Sequence, residues 1–103
     1  MSDTITIDVR IFATLREVLG LKTFSMELPR GTTIREFLLI IEKKFDNGKK
    51  FVKAILDPKD PNRIKDYVKF MINGRILMHD KILDSIIEKD GDILAIFPPV
   101  AGG

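Results

Sequence analysis

The residues with the most chemical potential stand together at the C-terminal end, Phe97-Pro98-Pro99-Val100-Ala101-Gly102-Gly103. Two successive prolines after an apolar strand remove backbone donors and favour extended angles, so they end sheet pairing and direct the chain outward. At about 3.3 Å per residue, the residues after Phe97 reach at most about 20 Å. The last three carry almost no side chain, which lets the backbone enter a narrow slot on another protein. The group so delivered is the carboxylate of Gly103. A carboxylate is a poor electrophile and must first be activated; attack on the α-phosphate of ATP gives an acyl-adenylate that a nucleophile can open. The chain has no cysteine to act as that nucleophile, so it comes from elsewhere. On this reading the protein is a carried substrate and not an enzyme. ATP is used by the activating partner, and no cofactor is bound.

Little else in the sequence carries chemistry. Zero cysteine excludes disulfides, thiolate metal sites and redox work by this chain alone. The single histidine, His79, excludes a histidine cluster and reads as a surface residue following a hairpin. Asp90 and Asp92 flank Gly91 and read as turn formers. No metal site and no catalytic constellation is expected. A chain of 103 residues, 45% hydrophobic and 31% charged, is ordinary for one globular domain. No apolar run is long enough to span a membrane, and the N-terminus lacks the basic and apolar regions of a secretory signal. The expectation is a cytoplasmic protein, monomeric when free, with no membrane partner.

The elements that would position the tail follow from periodicity. Ile5, Ile7, Val9 and Ile11 alternate with Thr6, Asp8, Arg10 and Phe12, the pattern of a half-buried strand. Residues 14–19 read as a short helical turn closed by Gly20. Phe24, Met26 and Leu28 alternate again and end at Pro29, so a hairpin with the first strand is expected. Residues 32–45 form the main helix. Thr33 and Glu36 make a capping box, and Ile34, Phe37, Leu38, Ile41 and Phe45 give it a core face. Leu39 and Ile40 fall off that face, as peripheral core or as a small sticky surface.

Val68, Phe70 and Ile72 mark a third strand, and Asn73-Gly74 is the strongest short hairpin signal, with residues 75–78 as the return strand. The continuous apolar run 93–97 suits a central strand. The order β-β-α-β-β-β predicts an α+β fold: one mixed five-stranded sheet with one main helix on one face. Phe12, Met71 and Phe97 would project from the other face, a candidate docking surface. The domain is expected over residues 1–97, and 98–103 as a flexible tail.

Residues 46–66 are an insert within that pattern. Phe51, Val52, Ile55 and Leu56 fit a short helix before Asp57-Pro58 and Asp60-Pro61. Over residues 43–69, nine basic groups face four acids, while the whole chain is only +2. Such a stretch could meet an acidic partner or nucleic acid. No aromatic ladder interleaves the lysines, so nucleic acid is not expected and a solvated face is.

Phe12-Ala13-Thr14-Leu15-Arg16-Glu17, Asn73-Gly74, Asp90-Gly91-Asp92 and the block from Ile96 to Gly103 together resemble the MoaD/ThiS sulfur-carrier family of ubiquitin-like β-grasp proteins. The likeness spans nearly the whole chain and is strongest to its molybdopterin synthase small-subunit branch. It implies that a MoeB/ThiF-type, ubiquitin-activating-like enzyme adenylates Gly103, and that a persulfide donor converts it to a thiocarboxylate. The tail, Pro98, Pro99, Val100, Ala101 and Gly102, would then insert into a MoaE-type large subunit. There it would donate sulfur to a pterin precursor of the molybdenum or tungsten cofactor. By the same resemblance Phe12, Arg16 and Phe97 contact partners. The insert at residues 46–66 departs from the family pattern. Archaeal relatives act instead as protein modifiers joined to lysines through the terminal glycine, and shorter ThiS proteins carry sulfur for thiamine.

Overall fold

The computed structural model describes residues 3–98. Strand β1 (Thr4–Ile11) keeps the predicted alternation, with Ile5, Ile7, Val9 and Ile11 all inside. Helix α1 (Thr14–Leu19) buries Leu15 and Leu19 and returns the chain to β2 (Thr23–Pro29). The two strands pair antiparallel from Thr4 opposite Pro29 to Arg10 opposite Thr23, the expected hairpin. The main helix begins later than its apolar pattern suggested. Thr32–Thr33 is a short strand, β3, and the helix proper is α2 (Ile34–Lys44). Its capping box is complete: Thr33 Oγ1 accepts from the Glu36 backbone N–H at 3.1 Å, and Glu36 Oε1 accepts from the Thr33 N–H at 2.9 Å. Those bonds favour the charged carboxylate and hold Glu36 below its ordinary value of 4.5.

The insert is more ordered than its composition predicts. Helix α3 (Gly48–Ile55) buries Phe51, Val52 and Ile55, as the apolar spacing required. The following prolines do not form a loop. They sit in a small antiparallel hairpin of β4 (Leu56–Asp57) and β5 (Asp60–Ile64). Pro58 lies in the turn and Pro61 is exposed on β5, the kind of edge position where a missing N–H costs no ladder bond. Asp57 and Asp60 accept from the backbone two residues on, at 2.8 and 2.9 Å, which shapes the turn. Ile64 then closes onto the core at 1% exposure.

The C-terminal half builds the centre of the sheet. Strand β6 (Lys69–Ile72) turns through Asn73-Gly74 into β7 (Arg75–Ile76). Both turn residues have positive φ, 51° and 85°, as a type I′ hairpin requires. The return strand is shorter than expected; Leu77 still donates to the Phe70 carbonyl at 2.9 Å, but pairing as a strand ends at Ile76. A 3₁₀ turn (His79–Lys81) leads to β8 (Ile86–Ile87), which pairs with β3, and then to β9 (Ile93–Phe97). The main sheet runs β2-β1-β9-β6-β7, with β9 parallel to β1 and antiparallel to β6.

This is the predicted ubiquitin-like β-grasp architecture: a mixed five-stranded sheet with α2 against one face. Leu94 and Ile96 of β9 point into the core with Phe37, Ile41, Phe51 and Phe70. Helices α1 and α3 supplement α2 on that face, so the helical layer has three members. His79 is half-buried and not simply a surface residue; its Nε2 lies 3.0 Å from the Lys65 carbonyl and ties the 3₁₀ turn to the insert. Leu39 is exposed at 53%, while Ile40 packs on the edge of the core. Among the described residues, no helix is long and apolar enough to cross a membrane.

Candidate functional site

The site is built where β9 leaves the sheet. In β9 the alternation buries Leu94 and Ile96 and places Ile93, Ala95 and Phe97 on the side away from the helices. The register puts Ala95 between Arg10 of β1 and Met71 of β6, and Met71 opposite Ile76 of β7. The predicted open face is therefore real: Phe12, Phe97 and Met71 share it. It also includes Ala95 and Ile76, the latter 66% exposed.

Phe12 and Phe97 do more than share a face. Their rings stack with centroids 4.4 Å apart and planes 9° from parallel. Such a pair is worth about 0.5–1.5 kcal/mol beyond its buried area. The Arg16 guanidinium lies over the other partner, 5.5 Å from the Phe12 centroid, and its Nε donates to the Ile11 carbonyl at 2.6 Å. Cation, ring and ring thus form one stack directly before Pro98. The backbone that allows it is unusual. Ala13 has φ 51° and ψ −132°, a region that side-chain-bearing residues rarely occupy, and it costs of order 1–3 kcal/mol. That sharp corner lets Phe12 follow β1 on the open face and brings Arg16, in the first turn of α1, back over it.

Two further residues belong here that sequence reasoning did not single out. Arg10, Phe12, Arg16, Lys22 and Thr23 line a shallow cleft of about 400 Å³. Arg10 was legible as the Phe12-face neighbour in β1, two residues upstream. Lys22 was not, because its position depends on the α1–β2 corner. Arg10 is partly engaged by Asp8 at 3.3 Å, both side chains being well exposed. The cleft offers cations on an aromatic floor, a surface suited to carboxylates or phosphates of a partner.

Pro98 is the last described residue and is buried. The other predicted site residues, Pro99, Val100, Ala101, Gly102 and Gly103, lie outside the described residues, as does the expected flexibility of the tail. Beneath the site, Asn73 and Asp92 anchor the start of β9. Asn73 Nδ2 donates to Asp92 Oδ1 at 2.9 Å, and Asn73 Oδ1 accepts from the Ile93 N–H at 2.8 Å. Asp92 is buried and also accepts from the Lys89 N–H; Asp90 accepts from the Thr6 N–H at 2.7 Å. Both acids are turn builders, as expected. Among the described residues, no three His, Cys, Asp or Glu side chains converge as a metal would need.

The fold is a ubiquitin-like β-grasp whose central strand ends at an aromatic–arginine stack. The sequence pattern of the ThiS family matches residues 9–103, and the chain belongs to that family of ubiquitin-like sulfur carriers. It is 30% identical over 97 residues to small archaeal modifier protein 3 of Haloferax volcanii, covering 94% of this chain and 98% of that protein. Among solved structures it is similar to the HVO 2177 protein of Haloferax volcanii, with TM-score 0.75 and 29% identity over 100% of this chain and 91% of that one. It is also similar to a candidate molybdopterin converting factor, subunit 1, from Pyrococcus furiosus. That match has TM-score 0.65 and 28% identity, over 93% of this chain and 99% of that one.

Proposed function

We propose that this protein carries an activated carboxyl at Gly103 and donates sulfur from it as the small subunit of a molybdopterin synthase. The observation that carries the reading is the Phe97–Phe12–Arg16 stack at the root of the diglycine segment, on an open apolar face. A partner that docks on Phe12, Phe97 and Arg16 holds the last strand at its own surface and receives the segment from Pro99 to Gly102 in a slot. The Gly103 carboxylate oxygen attacks the α-phosphate of ATP in a MoeB/ThiF-type enzyme, and pyrophosphate leaves. A persulfide sulfur then attacks the acyl carbon, and AMP leaves. Cleavage of the sulfur–sulfur bond by a thiol reductant frees the thiocarboxylate. A MoaE-type large subunit would take the tail next and pass the sulfur to a pterin. Every reactive group except the carboxyl comes from the partners.

The likeness to small archaeal modifier protein 3 favours a second reading, in which the same adenylate is captured by a lysine amine of another protein. One experiment separates the branches. The protein is incubated with its activating enzyme, ATP and a sulfur source, and its intact mass is followed. Sulfur carriage predicts a gain equal to the exchange of one oxygen for one sulfur, lost on deleting Gly102 and Gly103. Modification predicts instead high-mass conjugates in the host that vanish with the same deletion. If neither outcome occurs with a competent activating enzyme, the carrier reading is refuted.

A further inference from the structure

The insert builds a second surface that carboxyl carriage does not use. Arg35, Leu38, Leu39 and Glu42 of α2, Val52 of α3, Leu56, Pro61 and Leu83 line a slot of about 270 Å³ in the helical layer. This layer is across the sheet from Phe12 and Phe97. The slot is smaller than the roughly 300–1,000 Å³ typical of small-molecule sites, and its lining has no aromatic ring and almost no polar surface. Arg35 is already held by Asn62 at 2.9 Å and Asp84 at 3.5 Å. What remains is a hole for one large apolar side chain, with Leu39 53% exposed at its lip.

The rim has a regular pattern. Lys43 stands four after Leu39 along α2 and Lys49 three before Val52 along α3, one helical turn from each, and Lys53 follows Val52 on α3. All three are exposed, and among the described residues they, Lys44 and Lys50 make no ion pair or side-chain hydrogen bond. An unpaired cation at a surface helix is ordinary. Lysines on both helices beside an apolar slot present complementarity to a ligand that is apolar along one line and anionic beside it.

We infer that this slot docks an acidic amphipathic helix of a partner protein, with a large apolar side chain between α2 and α3 and flanking carboxylates on Lys43, Lys49 and Lys53. Single-stranded nucleic acid fits less well, because the slot offers no aromatic surface on which a base could stack. A second copy of this chain also fits less well. Its exposed Ile86 lies near Asp84 and Glu88, but in the two-residue strand β8 and not on a helix, and Asp84 already meets Arg35. Occupation of the slot leaves the open face and the C-terminal segment free, so a partner could hold the protein while another enzyme acts on Gly103.

The test uses a synthetic helix of roughly 18 residues, long enough to be helical in water, with a Leu/Phe stripe flanked by glutamates. Its binding to the full chain is followed by fluorescence anisotropy and amide chemical-shift mapping. Saturable binding is expected, with shifts centred on Leu39, Val52 and Leu83. Leu39→Glu, at an exposed position, should weaken it about tenfold or more. The Lys49→Glu/Lys53→Glu pair should weaken it and flatten its salt dependence. Leu39→Glu should leave the mass change at Gly103 intact, which separates this inference from the carrier reading. The inference is overturned if no saturable binding occurs up to about 1 mM, if the shifts centre on Phe12 and Phe97, or if Leu39→Glu changes nothing. Equal binding of an oligonucleotide that competes with the peptide, or self-association in sedimentation that Leu39→Glu abolishes, would also overturn it.

Discussion

Replacing Gly48 by alanine sets two effects of opposite sign against each other, and the structure decides between them. Gly48 opens α3 with φ outside the left-handed region, so alanine could adopt its backbone without strain. Helix propensity then favours alanine by up to about 1 kcal/mol. Packing opposes it. A Cβ at this position would overlap the Ile41 carbonyl oxygen and lie 2.8 Å from Glu42 Cα and 2.9 Å from Ile41 C. These are backbone atoms of α2, so no rotamer change relieves the contact, and the two helices must separate. Overpacking of this kind costs about 1–3 kcal/mol or more.

The expected net effect of Gly48→Ala is a loss of about 1–2 kcal/mol, and at roughly 4–8 °C per kcal/mol for a domain of this size Tm falls by about 4–16 °C. Urea and thermal unfolding followed by circular dichroism would measure it, with Lys50→Ala on the exposed face as a near-neutral reference. Equal or greater stability of Gly48→Ala would refute the close approach of α3 to α2, and with it the geometry of the slot between them.

Phe12→Ala and Phe97→Ala in a double-mutant cycle should show a coupling of about 0.5–1.5 kcal/mol from the stack, measured by urea unfolding. Each single variant should also raise the apparent KM for the carrier in a pyrophosphate-release assay with its activating enzyme. Asn73→Ala removes two side-chain hydrogen bonds and leaves the buried Asp92 short of a donor, so a loss of about 1–3 kcal/mol is expected in urea unfolding. Glu36 titrates below its ordinary 4.5 when folded, so its contribution is present above that value and is lost as pH falls through the lowered one. Glu36→Gln should therefore flatten the acid limb of stability below about pH 4.5 and leave neutral pH dependence unchanged. Thr33→Ala should cost about 1 kcal/mol through loss of the same cap, read from its thermal midpoint.

Local rules made much of this protein legible without a structure. Alternation in β1 and β2, the Thr33–Glu36 box, the helical spacing in α2 and α3, and Asn73-Gly74 all depend on neighbours within a few residues. Phe12, Met71 and Phe97 could be placed on one face because the side-chain period of a strand is two, whatever its partners. Other features had no local signature. The β4–β5 hairpin hides in a proline-rich stretch, because prolines are tolerated only where an edge leaves their missing donors facing water. The positive φ of Ala13 is imposed by the need to carry the chain from β1 into α1 over a fixed core. The stacking of Phe12 on Phe97 needs β9 to lie parallel beside β1, a pairing of residues far apart in the chain. Likewise, Leu39 became the lip of a slot, and not core, only because α3 packs against α2 at Gly48. Sequence thus determined the main elements and their inward faces. Tertiary structure decided which distant residues meet, because those contacts depend on the global packing of the helices on the sheet.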